Sequence, residues 1–578
     1  MAVSTRAAKL KEHILSEQIS LKLVSELKKN TGTDDFFTVF ISVCNKKERA
    51  RVFHGSGKTI RIAWGNAERR LDEFLKGMLK KKKPFSPVWV KADVVTHFEE
   101  IDTTDLNKKI IENKWHNFTR LGISFDKGFR HALLEAEIHG NKMLKYVHSQ
   151  EDILTGKIDY TRMPIELGNV NKYLKTTRLM PPLAEVPEKI TVFTAQGYFC
   201  GEDSIIRELY SDSVDYGRRK IDIVDDNVIR EILTGASEYL VRLIDDNGRF
   251  IYGYYPIFGA MMRNYNIIRH TSTIWSIINL YRMSGDKNLI PKLEKAISYM
   301  DGCTDHIDAE TAYLVEMDDN EIKLGANGVA IIMYTEYMDV FKTDKYVGIV
   351  RKLANGILRM QDPQTGKYYH VLNYPDYSGK EEFRIIYYDG EATFALTRAF
   401  TYTNETKYLD AAKAAVENFI RSDYTIHRDH WVAYSLLEVT KHISDVRYYD
   451  FALKNVDENL QGIHQRETSF HTYLELLMAG WQTYKNALNE GIESCYIKNY
   501  DPTGFAQTIY HRVRHMLNGF FYPEYAMYMK FPDTIVGSFH VRHHNYRVRI
   551  DDMQHFIGGY YYYCLYYNEI LPYLTVSR

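Results

Sequence analysis

The chain has 578 residues, 45% of them apolar, with 74 Lys plus Arg against 75 Asp plus Glu and a formal charge of −1. At roughly 100–200 residues per domain, that length is enough for several packed domains. The balanced charge excludes, on composition, a nucleic-acid binder or a protein held to anionic lipid.

The first twenty residues, MAVSTRAAKLKEHILSEQIS, lack the apolar core of a secretory signal, and no run of about 18 apolar residues follows. A cytoplasmic location is the expectation. Cys44, Cys200, Cys303, Cys495 and Cys564 lie far apart without a CxxC pair, as free thiols in a reducing compartment do. The 45 tyrosines suit amphipathic packing or a wet cleft that stacks on sugar rings.

Residues 36–44, FFTVFISVC, predict a strand, NKKE a turn and ARVF a second strand. HGSGKT (54–59) follows, then an amphipathic helix with Ile60, Ala63, Trp64, Ala67 and Leu71 on one stripe. A nucleotide loop needs a further glycine where this chain has Val52, and without it the backbone cannot curl its amides around phosphate. Thr59 is read instead as the cap of the helix. The basic run Lys80 to Lys83 is read as a solvated helix end.

SPVWVKADVV (86–95) predicts a strand, and helices are expected over 102–115 and about 126–146. Residues 1–150 thus form a small α+β domain. From 151 to 221 prolines break the pattern around one strand, ITVFTAQGYF, predicting a linker or clasp across the next domain.

Residues 222–574 repeat. TSTIWSIINLYRMSGDKNLIPKLEKAISYM is a helix, a polar turn and a helix. The form recurs in the segments beginning NGVAIIMY, GEATFALT and WVAYSLLE. With a helix at 227–244, one around 468–486 and a closing helix at 552–570, about six hairpins result, the apolar first helices forming an inner ring. The fold class is therefore mainly α, an α/α toroid behind a small α+β domain.

This periodicity, with DDNGRFIYGYYP (245–256) and MQDPQTGKYYHVLNY (360–374), resembles the (α/α)6-barrel enzymes of carbohydrate chemistry. That group includes six-hairpin glycosidases, unsaturated-glucuronyl hydrolases, sugar 2-epimerases and polysaccharide lyases. The resemblance implies an enzyme with a glycan substrate in the toroid cavity.

In a toroid, the segments leading into the inner helices open at one end, so their polar residues converge. They supply Tyr265, Arg269 and His270; Asn327; Tyr388, Asp389 and Glu391; Asp429 and His430; and Arg549, Asp551, Asp552 and His555. Glu467 and His471 stand before another inner helix. Taken singly, Asp389, Asp551 and Asp552 also suit helix caps, and the histidines suit satisfied core positions.

Two chemistries fit. In glycoside hydrolysis Asp389 or Glu391 would face Asp551 or Asp552 across a sugar. In a lyase or a uronate or sugar epimerase, His270, His430 and Tyr265 would move protons while Arg269 and Arg549 clamp an acidic group. The arginines also suit an anionic sugar. Asn327, Tyr388, Asp429 and His555 join the candidate binding set.

No cofactor is expected. HRVRH (511–515) and HVRHH (540–544) lack the Glu of a zinc motif, so no metal is expected either. The partners are a glycan and possible further copies of the chain, without membrane insertion. A different class of function, a non-catalytic glycan binder or a scaffold in envelope-polymer biosynthesis, would make the carboxylates plain caps.

Overall fold

A computed structural model describes residues 2–112, 120–145 and 163–574. The chain opens with helices α1 (Ala2–Ile14) and α2 (Glu17–Thr31), followed by strands β1 (Phe37–Cys44) and β2 (Arg51–Gly57), helix α3 (Ile60–Lys80) and strand β3 (Trp89–Asp102). Then come α4 (Leu106–Glu112), β4 (Gly122–Ser124), β5 (Ala132–Leu133), α5 (Glu135–Gly140), α6 (Leu167–Tyr173), β6 (Lys189–Cys200) and β7 (Ile206–Glu208). The strands make one antiparallel sheet in the order β2-β1-β3-β6-β4-β5, with β7 also on β6.

Successive residues of a strand point to opposite faces, and β1 is buried on both. Val39, Ile41 and Val43 pack with Ala63, Trp64 and Ala67 of α3 and with Leu23 and Leu27 of α2. Phe40 and, from β6, Phe193 point the other way into a core continuous with the helical region.

The HGSG of HGSGKT lies on this sheet. His54 to Gly57 pair with Phe40 to Phe37, so this backbone is an extended edge strand rather than a loop curled around phosphate. Gly55 is needed there because a Cβ would lie 2.5 Å from the Ala63 carbonyl oxygen of α3. Thr59 caps α3, its hydroxyl accepting from the Ile62 amide.

Two expectations for this part change. The helix expected over 126–146 is a turn, strand β5 and the short α5, because the Asp126 carboxylate accepts from the Arg130 and His131 amides and closes the chain on itself. Residue 146 falls outside the described residues, as do Asn113 to Trp115 of the helix expected over 102–115. The strand expected inside the 151–221 linker, β6, runs through the middle of the N-terminal sheet and pairs with β3 over its whole length. A twelve-residue apolar strand is most stable with both edges paired, which a clasp would not provide.

Among the described residues, twelve helices of ten residues or more follow in alternation, with three shorter ones between them. The inner ones are α8 (Ile267–Ser284), α10 (Leu324–Phe341), α12 (Tyr387–Thr403), α14 (His430–Val439), α16 (Thr472–Asn489) and α18 (Ile550–Ile570). The outer ones are α7 (Asp226–Arg242), α9 (Ile290–Asp301), α11 (Val347–Arg359), α13 (Thr406–Arg421), α15 (Val446–Asp457) and α17 (Pro502–Met516). Each inner helix packs on the next, and α18 closes the ring on α8. The sequence explains the layering. The inner α10 and α14 are apolar on every side and buried almost throughout, whereas the outer α11 and α13 carry one apolar stripe and a solvated face.

Short strands decorate the end of the ring where the inner helices begin. β8 (Gly253–Tyr255) pairs with β9 (Ala260–Met261) and with β15 (Val548–Arg549). A five-stranded sheet joins β10 (Thr304–His306), β11 (Ala312–Glu316), β12 (Glu321–Lys323), β13 (Val371–Asn373) and β14 (Gly379–Glu381).

The N-terminal sheet docks on the connection between α17 and α18. The Ala50 amide donates to the Met527 carbonyl, the Tyr528 hydroxyl to Ser42, and Arg219 grips Glu524 through two bonds. Much of the tyrosine excess serves packing: Tyr239, Tyr334, Tyr408 and Tyr448 are among the largest fully buried side chains. Among the described residues four cysteines are free and buried, and no helix is long and apolar enough to cross a membrane.

Candidate active site

Because the inner helices run parallel, their first turns meet at one end of the ring. Asp551 sits in the first turn of α18. Its Oδ1 lies 3.0 Å from Nε of Arg269 on α8, and its Oδ2 lies 2.8 Å from Nη2 of Arg549. Arg549 also donates to both oxygens of Asp552, at 2.9 and 3.1 Å. Pairing of β15 with β8 across Arg549 and Gly253 fixes the backbone from which Arg549 reaches.

One turn further along α18, His555 donates from Nδ1 to Oε2 of Glu475 at 2.6 Å, and its Nε2 lies 3.5 Å from Asp551. Glu475 is on α16 and also accepts from the Tyr434 hydroxyl of α14 at 3.3 Å. His430 opens α14. Its ring stands edge to face against that of His555, with centroids 4.9 Å apart, and both its ring nitrogens are buried without a hydrogen bond. His471 stacks on the other side of His555.

Burial and neighbours drive these groups apart in acidity. Burial alone would lower His555, but Glu475 and Asp551 outweigh it and hold the imidazole up to about 9. His430 lies well below the ordinary histidine value because it is buried and faces His555, His471 and Arg269. One ring is thus a cation and its neighbour a neutral base at pH 7. Burial raises Glu391 to about 8 against the pull of Arg269 and His555, and its Oε2 has no hydrogen-bond partner. Asp551 stays well below the usual carboxylate range: burial would raise it, and Arg269, the His555 hydrogen bond and Arg549 prevail.

Glu391 fits because α10 presents glycine to it. A Cβ on Gly325 would lie 2.0 Å from Glu391 Oε2. The centre is closed below by packing, and Arg269, Arg549 and His471 form its partly exposed rim.

The structure therefore brings together Arg269, Glu391, His430, Arg549, Asp551, Asp552 and His555. Of the other sequence candidates, His471 stands on the rim and Asp429 borders the centre, its Oδ1 3.7 Å from His430 Nδ1; the rest lie elsewhere. His270 is turned outward, bonded to the Tyr265 hydroxyl at 2.5 Å and to the Ala296 carbonyl at 2.9 Å; it is a satisfied core histidine, lowered to about 4 by burial. Tyr265 lies under the Arg249 guanidinium, away from the ring centre. Asn327 ties α10 to β11 through the Leu314 backbone.

Asp429 caps α14 by accepting from the Trp431 amide. Tyr388 is wedged against His370. Asp389 does not face Asp551 as expected. It points at His370 and Tyr424 in a separate cavity, since two residues along a helix turn a side chain by about 200°.

Glu475 was not among the sequence candidates. It lies inside α16 rather than before it, four residues after His471, as His555 lies four after Asp551. That shared helical spacing is the signal that finds it. Among the described residues, His430, Glu475 and His555 each offer one ligand atom, all mutually within 4.8 Å, and could hold a metal ion. A divalent ion there would have to displace the proton shared by His555 and Glu475.

No protein-family profile matches this sequence, and no curated protein does. Among solved structures, the chain is similar to a D-mannose isomerase at 12% identity, over 60% of this chain and 98% of that one, with a TM-score of 0.43. It is similar to a sugar epimerase from a ruminal bacterium at 13% identity, over 51% and 87%, with a TM-score of 0.41. It is also similar to a GH76 α-mannanase of Bacteroides thetaiotaomicron at 11% identity, over 60% and 98%, with a TM-score of 0.40.

Proposed function

We propose that this chain is an enzyme of sugar chemistry that moves a proton at the carbon next to the carbonyl of an open-chain sugar, as an isomerase or 2-epimerase does. The observation that carries this reading is the His430–His555 pair: a neutral imidazole whose nitrogens make no hydrogen bond against one held as a cation. Paired groups whose surroundings push their acidities apart mark the acid and the base.

Carbon–hydrogen acidity next to a carbonyl rises when the oxygen is protonated or faces a cation. In the proposed step His430 takes the proton from carbon, the bonding pair forms the carbon–carbon double bond, and the carbonyl oxygen receives a proton from His555 Nε2. Arg269 faces the developing oxyanion. Glu475 keeps His555 charged and oriented, and Asp551 holds Arg269 in place. From the resulting enediol, His430 returns its proton to the former carbonyl carbon while the hydroxyl on the first carbon gives its proton to the now neutral His555, and the isomer results; reprotonation of the first carbon on its opposite face, with the proton on the original carbonyl oxygen going back to His555, gives the epimer. Because the two rings touch, they work from one side, and isomerisation is the expected outcome.

A second reading, glycoside hydrolysis, is supported by Glu391 held protonated near an ionised Asp551. Against it, each oxygen of Asp551 lies within 3.0 Å of an arginine nitrogen, which leaves a poor nucleophile. The test is chromatography of products from a panel of aldoses and ketoses and, separately, of mannose and glucose oligosaccharides. Conversion of a monosaccharide to its isomer or epimer supports the proposal; chain shortening of an oligosaccharide with untouched monosaccharides overturns it.

A further inference from the structure

A cavity of 870 Å3 lies on the other flank of α12, apart from this centre. Its floor is the buried pair of Asp389 and His370. His370 Nδ1 accepts from the Arg384 amide at 3.0 Å, so its proton sits on Nε2, 3.5 Å from Asp389 Oδ2. The Tyr424 hydroxyl points at the same oxygen at 3.4 Å. Among the described residues Oδ1 of Asp389 accepts no hydrogen bond, although the side chain is 4% exposed. Above it stands Phe383, 60% exposed, its ring held against His370 with centroids 4.8 Å apart.

A bare aromatic ring propped on a second ring, beside a fixed carboxylate with a spare oxygen, matches one ligand chemistry well. The apolar C–H face of a pyranose lies on the aromatic ring, and a hydroxyl donates to the carboxylate. Asp362, Glu382 and Asp389 line the cavity with Arg359 and Lys367, so there is no surplus cation for a phosphate or uronate. The volume is in the range of small-molecule sites.

We infer that this cavity is a second saccharide site, taking a neutral, closed-ring pyranoside, separate from the proton-transfer centre. Its ligand class is consistent with the sugar chemistry proposed above, but its binding does not depend on that reaction. α12 carries both sites on opposite flanks: Asp389 serves the cavity and Glu391 the ring centre.

Methyl glycosides of glucose, mannose and galactose test it, because they cannot ring-open and so cannot undergo the reaction at His430. Saturation-transfer NMR should show one of them bound by the wild type and by His430→Asn, and about tenfold more weakly by Phe383→Ala and by Asp389→Asn. Phe383 is exposed, so its variant tests the surface without disturbing the core. Binding of none of the three glycosides, binding unchanged in Phe383→Ala, or binding lost in His430→Asn overturns the inference. Monosaccharide turnover should persist in Phe383→Ala. Turnover absent from the wild type would count against the proton-transfer reading alone.

Discussion

The two ends of the inner ring are built from the same kinds of side chain and differ in how completely those side chains are satisfied. At the far end Arg398 of α12 meets Glu336, Asp339 and Glu438, while Arg282 meets Glu336 and Lys441 meets Glu438. The Tyr402 hydroxyl donates to Asp339, and Arg398 also donates to the Thr335 hydroxyl. Three carboxylates answer three cations. At the near end His430 has two idle nitrogens, Glu391 an idle oxygen, and His555 a proton that only Glu475 and Asp551 sustain. Leaving buried polar atoms unpaired costs stability that packing must offset. A fold that closes one end of its ring with a compensated network can leave such atoms at the other only if something else uses them.

The largest effect that would break this comparison is at His430. His430→Asn should lower kcat by about 10²–10⁴, the usual worth of a general base, with the melting temperature little changed. A variant that keeps full activity would reduce the near end to another structural network.

Arg398→Met should do the opposite. Removing one partner of a buried ionic network costs about 3–5 kcal/mol, so thermal unfolding should come much earlier while turnover per folded molecule stays close to wild type.

A smaller and more diagnostic effect is expected from Glu475→Gln. In the wild type His555 stays charged up to about pH 9, so kcat/KM should hold from neutrality and fall as pH passes about 9. Without Glu475 that limb should move toward the ordinary imidazole value of about 6.5. Stability follows the same sense. The folded His555 pKa lies above the unfolded one, so its contribution is complete below about pH 6.5 and disappears as pH rises through about 9.

The smallest effect belongs to Asp339→Asn. Its side chain is 41% exposed, and the loss should stay within about 1 kcal/mol by denaturant titration, with kcat unchanged.

The hairpin array was legible because a buried inner helix and a striped outer one leave different periodicities in the chain. Less regular pieces were not. The segment 126–146 carries apolar residues at helical spacing, yet the Asp126 side chain competes for the backbone and wins. The strand at 189–200 was visible, but its partner β3 lies almost a hundred residues away, and no local pattern names it.

In the site, Arg269, His430, Asp551 and His555 were legible as polar groups before or at the start of inner helices. Asp389 and Glu391 looked equivalent because spacing alone does not give the phase of a helix about its axis. Packing against Gly325 on one side and His370 on the other decides which of them faces the centre. Glu475 stands in the first turn of α16; it was missed because that helix was expected to begin near 468, which put the carboxylate in mid-helix.

The most direct test of the central claim is solvent exchange. The protein would be incubated with aldoses and ketoses in deuterated water, and the carbon-bound hydrogens next to the carbonyl followed by proton NMR. At least one sugar should gain deuterium at that carbon with the wild type, and at least a hundredfold more slowly with His430→Asn. Sugars that keep every carbon-bound hydrogen, with the wild type instead adding water across a glycosidic bond, would contradict it.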